Sequence, residues 1–193
     1  GKAGPAGTDD EGQTQWFNGD CSWNEDGYHL VGVLVGLALY NGVLLDVHFP
    51  RAVYRKLLRL PLGLEDVVDA STRNGLRSLL EYDGTAGDVE DVFGLTFEVT
   101  WMDFGQERSR ELKPGGADIP VTNDNREEYV MLYVKWLLVD SVRDQYDSFE
   151  SGFMRVMEAS CLNLLRPEEL ELLVVGTPDL DFAALEKNAE YEG

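Results

Sequence analysis

The residues from Tyr28 to Tyr40, YHLVGVLVGLALY, constrain this chain more than any others. They are apolar nearly all round, so a helix formed there should be buried. Gly32 and Gly36 stand four apart and share a face, where the missing side chains let another backbone approach closely. The wider apolar run from Leu30 to Leu45 covers 16 residues and is interrupted by Asn41 and Gly42, which is short for a membrane span. A buried core helix followed by a turn at Asn41-Gly42 is the expectation. The rest of the chain has material to build around it: 44% of its 193 residues are hydrophobic, enough for one compact domain or one with a small lobe attached.

Charge narrows the partners. Sixteen Lys+Arg stand against 36 Asp+Glu, a formal net charge of −20. Nucleic-acid binding needs a basic surface that displaces counterions, so nucleic acid and anionic membranes are poor partners and a basic protein patch is a good one. Cys21 and Cys161 lie 140 positions apart and form neither a CxxC pair nor a disulfide framework, which fits a reducing, intracellular setting, cytoplasmic and/or nuclear. No secretory signal is visible, and residues 1–13 (GKAGPAGTDDEGQ) read as a disordered tail.

Downstream, VLLDVHFPRAVYRKLLRLP predicts a helix opened at Pro50 and limited by Pro61, with Arg51, Arg55, Lys56 and Arg59 forming a solvated basic face. Residues 64–82 read as helical, with Ser71 or Thr72 as N-cap and Leu76, Leu79 and Leu80 on one face. An acidic loop follows, and Glu81 to Asp91 holds five acids and no base. The period then changes to two: Phe93, Leu95, Phe97, Val99 and Trp101 alternate. With Arg108–Lys113 and Ile119–Val121, split by Pro114-Gly115-Gly116, this predicts a small antiparallel sheet of about three strands. Helices return after Thr122-Asn123-Asp124-Asn125. One runs to about Asp140, one to about Met157, one opens at Pro167 and closes at Gly176, and one spans Asp181 to about Ala189. The chain is α+β with helix dominant.

Enzymatic chemistry finds little support in the residues alone. A thiol nucleophile needs an adjacent base, yet Cys161 lies in the apolar context ASCLNLL and reads as a buried structural cysteine. Asp46 and His48 would share a face on a strand, but two ligands are too few for a metal site. Glu168 and Glu169 are adjacent and read as first-turn acids. No phosphate-binding loop or other cofactor motif is present. The aromatic pair Tyr129 and Tyr133 stands out: four apart on one helix, it either completes a wide buried stripe or forms an exposed hot spot. Val130, Val134 and Leu137 take the adjacent, core-facing positions.

An ordered set of segments then becomes informative: VGVLVGLALYNGVLLDVHFPRAVYRKLL (31–58), LLEYDG (79–84), LTF (95–97), ELKPGG (111–116), IPVTNDNREEYVMLY (119–133), FESGFMRV (149–156), RPEELELLVVG (166–176) and LDFAALE (180–186). In this order and spacing the chain resembles the amino-terminal lobe of the HECT domain of ubiquitin ligases, from Trp16 to Gly193. The resemblance implies a bilobal arrangement. A large helical subdomain would be built from 14–70 and 141–193, and a small conjugating-enzyme-binding subdomain with the short sheet from 71–140.

The resemblance also implies a mechanism. A HECT ligase takes ubiquitin from a conjugating enzyme onto its own cysteine as a thioester, then passes it to a lysine of a protein substrate. The amino-terminal lobe recruits the conjugating enzyme. By position the recruiting groove is carried over to Leu76, Leu79 and Tyr82, Phe93 and Leu95, and Tyr129 and Tyr133. Asp88, Glu90 and Asp91 would steer a basic helix of the partner. Two features depart from the pattern: Thr72 stands where the family has an apolar residue, and the loop 85–92 is longer. The family's Thr-Cys-Phe type motif is absent, so no catalytic residue is assigned in this chain and it is expected not to form the thioester itself. Substrates would be bound through regions absent here. The alternative is a non-catalytic adaptor that captures conjugating enzymes.

Overall fold

The structure, a computed structural model, describes Phe17, residues 25–103 and residues 105–176. The expected tail, Cys21 and the expected helix after Asp181 lie outside the described residues. Helix α1 (Glu25–Asn41) packs across α6 (Arg143–Met154), and glycine explains how closely. A methyl group on Gly32 would collide with the backbone carbonyl of Phe149, and one on Gly152 with that of His29. Gly36 faces Val156 and the Phe153 carbonyl. The anticipated approach at Gly32 and Gly36 is therefore real, and Gly152 is its counterpart on the other helix. One expectation fails here. Leu30, Leu34, Leu37 and Tyr40 are exposed, because only one face of α1 meets α6 and no described residue covers the other.

Around this crossing lies the first core. Phe149, fully buried, sits at its centre with its ring centroid 5.3 Å from Phe17 and 5.7 Å from Phe49. Helix α2 (Arg51–Leu57) adds Val53, Tyr54 and Leu57, and α8 (Pro167–Val175) adds Leu170 and Val174. Pro167 opens α8 and Gly176 closes it, as the sequence predicts. Short helix α7 (Ala159–Leu162) buries Leu162 and leaves Cys161 exposed, which corrects the expectation of a buried cysteine. A helix of one turn has only one inward position here, and Leu162 takes it.

The second core is separate. It gathers Val67, α3 (Ala70–Glu81), the one-turn helix α4 (Val89–Phe93), Phe97, Val121 and α5 (Arg126–Lys135); the hairpin β1 (Glu98–Asp103) and β2 (Gln106–Glu111) follows Phe97 and lies outside this cluster, with β2 exposed throughout. Leu62 and Leu64 pack here as well, so this cluster begins before residue 71. Asp69, not Ser71 or Thr72, caps α3 by accepting from the Thr72 N–H at 2.6 Å. Hydrogen bonding with the Thr72 side chain, and then with its N–H, holds the Asp69 carboxyl below the usual range.

Among the described residues the sheet has two strands, paired antiparallel from Glu98↔Glu111 to Asp103↔Gln106. The expected third strand is reduced to an isolated bridge, Thr96↔Pro120, flanked by bonds from Phe97 N–H to Ile119 O and from Val121 N–H to Leu95 O. The ladder stops there because the Ile119 N–H donates to the Gly116 carbonyl and the Phe97 carbonyl accepts from the Leu112 N–H, so the two do not complete a pair. The result is an α+β fold, mainly helical, with a small antiparallel sheet.

Two connections join the cores: the turn around a 3-10 helix at Leu64–Asp66, and a π-helical turn at Trp136–Asp140 between α5 and α6. The basic stretch of α2 sits at this junction and is not a free solvated face. Arg55 Nε lies 3.3 Å from Asp66 Oδ2, Lys56 Nζ donates to the Leu138 carbonyl at 3.1 Å, and Arg59 lies 2.7 Å from Glu150 Oε1. Arg51 reaches Glu168 at 2.6 Å. In so acidic a chain every base on α2 finds an acceptor.

Candidate functional site

The seven residues singled out in the sequence all belong to the second cluster, at different depths. Leu76, Leu79 and Tyr129 are buried, Tyr129 at 3% exposure. Tyr82, Phe93, Leu95 and Tyr133 are half-buried. The tyrosine pair is therefore split: Tyr129 is support, and Tyr133 reaches the surface.

The rings form a chain. Tyr129 meets Phe97 edge-on at 5.5 Å and Tyr133 at 5.8 Å; Tyr133 meets Trp136 at 6.0 Å, and Trp136 meets Trp101 at 5.2 Å. Such tilted contacts suit ring quadrupoles and hold the side chains in place. Burial raises the Tyr129 phenol to about 12, and burial with the nearby Asp69 carboxylate raises Tyr133, so both stay neutral hydrogen-bond donors.

Phe93 does not begin a strand. It ends α4, which Gly94 terminates in the left-handed region (φ 57°). There its ring stands edge-on to Tyr82 at 5.3 Å. The Tyr82 hydroxyl in turn organises the acidic loop: it accepts from the Ala86 N–H and donates to the Gly87 carbonyl, both at 3.0 Å. Asp83, Asp88, Glu90 and Asp91 are all exposed around that loop.

Three supporting residues were not singled out as site residues in the sequence. Arg126 Nη1 donates to the carbonyls of Tyr82 (2.7 Å) and Leu79 (3.2 Å), so the start of α5 caps the end of α3. Lys113 lies 3.7 Å over the Phe97 ring and pairs with Glu128 at 2.8 Å. Gly116 presses on the Phe97 backbone so closely that a methyl group would collide with its carbonyl. These contacts give the ELKPGG and NREEY segments a physical role, as the frame that holds Phe97, Tyr129 and Tyr82.

Elsewhere the residues do less. Asp46 and His48 are exposed, 3.7 Å apart, in a segment that is not a strand. Among the described residues no group of three or more His, Cys, Asp or Glu could hold a metal ion. No helix among them is long and apolar enough to cross a membrane.

Residues 6–193 match the model of the HECT-domain (ubiquitin-transferase) family. The chain belongs to the HECT-domain family. Among its relatives it is 42% identical over 194 residues to the mouse (Mus musculus) probable E3 ubiquitin-protein ligase HECTD2, covering 92% of this chain and 25% of that protein. It is 39% identical over 180 residues to the human (Homo sapiens) probable E3 ubiquitin-protein ligase HERC3, 92% of this chain and 17% of that one. The probable E3 ubiquitin-protein ligase mug30 of Schizosaccharomyces pombe is 38% identical over 181 residues, 92% of this chain and 22% of the relative. This HECT-family chain thus spans a quarter or less of the length of these relatives.

Proposed function

We propose that this chain is the conjugating-enzyme-recruiting lobe of a HECT-type ubiquitin-protein ligase, working inside the cell, in the cytoplasm and/or nucleus. What carries the reading is the pairing of half-buried apolar side chains (Tyr82, Phe93, Leu95, Tyr133) on a fixed buried base with an exposed acidic loop beside them. An apolar loop anchor of the partner would sit against the first, and a basic helix would be steered by the second. In the intact ligase, the sulfur of a cysteine attacks the thioester carbonyl of the loaded conjugating enzyme and displaces its thiolate. A substrate lysine amine then attacks the new thioester, forming an amide and releasing the ligase sulfur. Neither Cys21 nor Cys161 lies in a Thr-Cys-Phe context, so the reacting cysteine is assigned to another part of the ligase and this chain alone transfers no ubiquitin.

The test is a titration against a panel of ubiquitin-conjugating enzymes. Saturable binding in the micromolar range, about −8 kcal/mol, is expected for a relay partner that must be released. Tyr133→Ala and Phe93→Ala should each weaken it about tenfold with the fold intact. Tyr129→Ala is less informative, since that ring is core. Neutralising Asp88, Glu90 and Asp91 should lower the association rate at low salt and have little effect at high salt. A folded sample that binds no member of the panel overturns the proposal.

A further inference from the structure

One deep concavity does not involve the seven site residues. It is a groove of about 930 Å³ between the two cores. One wall is aliphatic, formed by Leu62, Leu64, Leu80, Val130 and Val134. The facing wall, from α2 and α6, is polar. Charge here runs against the rest of the chain. Lys56, Arg59, Lys135 and Arg143 line the groove with Glu127, Asp147 and Glu150, whereas the whole chain has 16 bases to 36 acids.

Two of those bases are occupied, Arg59 by Glu150 and Arg143 by Asp140 at 2.5 Å. Lys56 is different. Its ammonium rests 3.7 Å over the Tyr146 ring and has the Leu138 carbonyl as its hydrogen-bond acceptor, and among the described residues no carboxylate lies at ion-pair distance. An ammonium has three donors, so two remain. Burial lowers Lys56 to about 8; Arg143 adds to that, and Asp147, Glu150 and Asp140 only partly offset it. Beside it the Tyr146 hydroxyl is buried and has no hydrogen-bond partner among the described residues. Unsatisfied donors on one wall and a continuous aliphatic surface on the other are the two halves of an amphiphile site. A peptide fits less well. Its backbone needs partners along its length, and α3 and α5 keep their backbone groups within their helices.

We propose that this groove binds an aliphatic carboxylate, its chain against Leu62, Leu80 and Val134 and its carboxylate on the Lys56 ammonium. The site shares no residue with the conjugating-enzyme surface and stands or falls independently of it.

The experiment is calorimetric titration of the whole chain with decanoate, kept below its micelle-forming concentration, beside decan-1-ol and decyltrimethylammonium. Decanoate should bind saturably, one per chain, and the two comparison amphiphiles about tenfold or more weakly. Lys56→Met should weaken decanoate about tenfold and leave decanol unchanged. Met131→Glu, at an exposed position on the rim, should weaken decanoate with an unchanged melting temperature, which keeps the test valid if Lys56→Met fails to fold. Decanol binding as tightly as decanoate, binding unchanged in the variants that fold, or a titration that never saturates would overturn the proposal.

Discussion

At the residue scale, the close helix crossing makes a sharp contrast between glycines. Gly32→Ala drives a methyl group into a backbone carbonyl that cannot move aside, and should cost about 3 kcal/mol or more. Gly75→Ala, in α3 with open space around it, should stabilise by about 0.5–1 kcal/mol. Chemical denaturation of the two variants checks both signs. Lys56 supplies a pH test. Its folded-state pKa, about 8, lies below the ordinary 10.5, so the cost of burying the charge is present in full below pH 8 and is relieved as pH rises toward 10. Stability should climb over that window, then fall as the unfolded chain ionises the tyrosines that burial keeps protonated in the fold, Tyr54 and Tyr146 among them. Melting temperature followed against pH should lose the climb in Lys56→Met. The pair Gly32/Gly36 was legible because a four-residue spacing maps directly onto a helix face. The roles of Gly152 and Lys56 were not, since each is defined by a residue more than eighty positions away.

At the element scale, the ends of helices carry the local design. Tyr82 follows the last residue of α3, where Arg126 takes its carbonyl and its own hydroxyl pins the loop 83–88. Tyr82→Phe keeps the ring against Phe93 and removes only the two loop bonds. It should cost about 1 kcal/mol or less in global stability, while amide exchange at Ala86 and its neighbours speeds up. The periodic face of 70–81 and the Pro167 and Gly176 ends of 167–175 are legible in the sequence, whereas the cap of 70–81 is Asp69 and not the Ser71 or Thr72 the sequence suggests. Helix α4 was not, because five residues are too few to show a period and VEDVF reads equally as the approach to a strand. The third strand shrinks to a bridge for a different reason: alternation reports which side chains point inward, and says nothing of whether the Ile119 N–H closes a turn on Gly116 instead of pairing with Phe97.

For the whole molecule, the most consequential feature is the outer face of α1. Leu30 (58%), Leu34 (52%) and Leu37 (43%) are exposed, as is Leu44 (60%) just beyond the helix. An apolar surface of this kind promotes association. The isolated chain should self-associate as its concentration rises, and Leu34→Lys should reduce this, by sedimentation velocity, with little change in melting temperature. Composition, apolar periodicity and helix caps already dictated a helix-rich chain with a short sheet between two helical stretches, because those signals depend on near neighbours. The ordered motifs marked the family. How deep each candidate residue sits, that Tyr129 supports and Tyr133 presents, that the described residues leave one face of α1 uncovered, and that a groove opens between the cores were settled by long-range packing. Burial depends on what arrives from elsewhere in the chain, and no local pattern carries that.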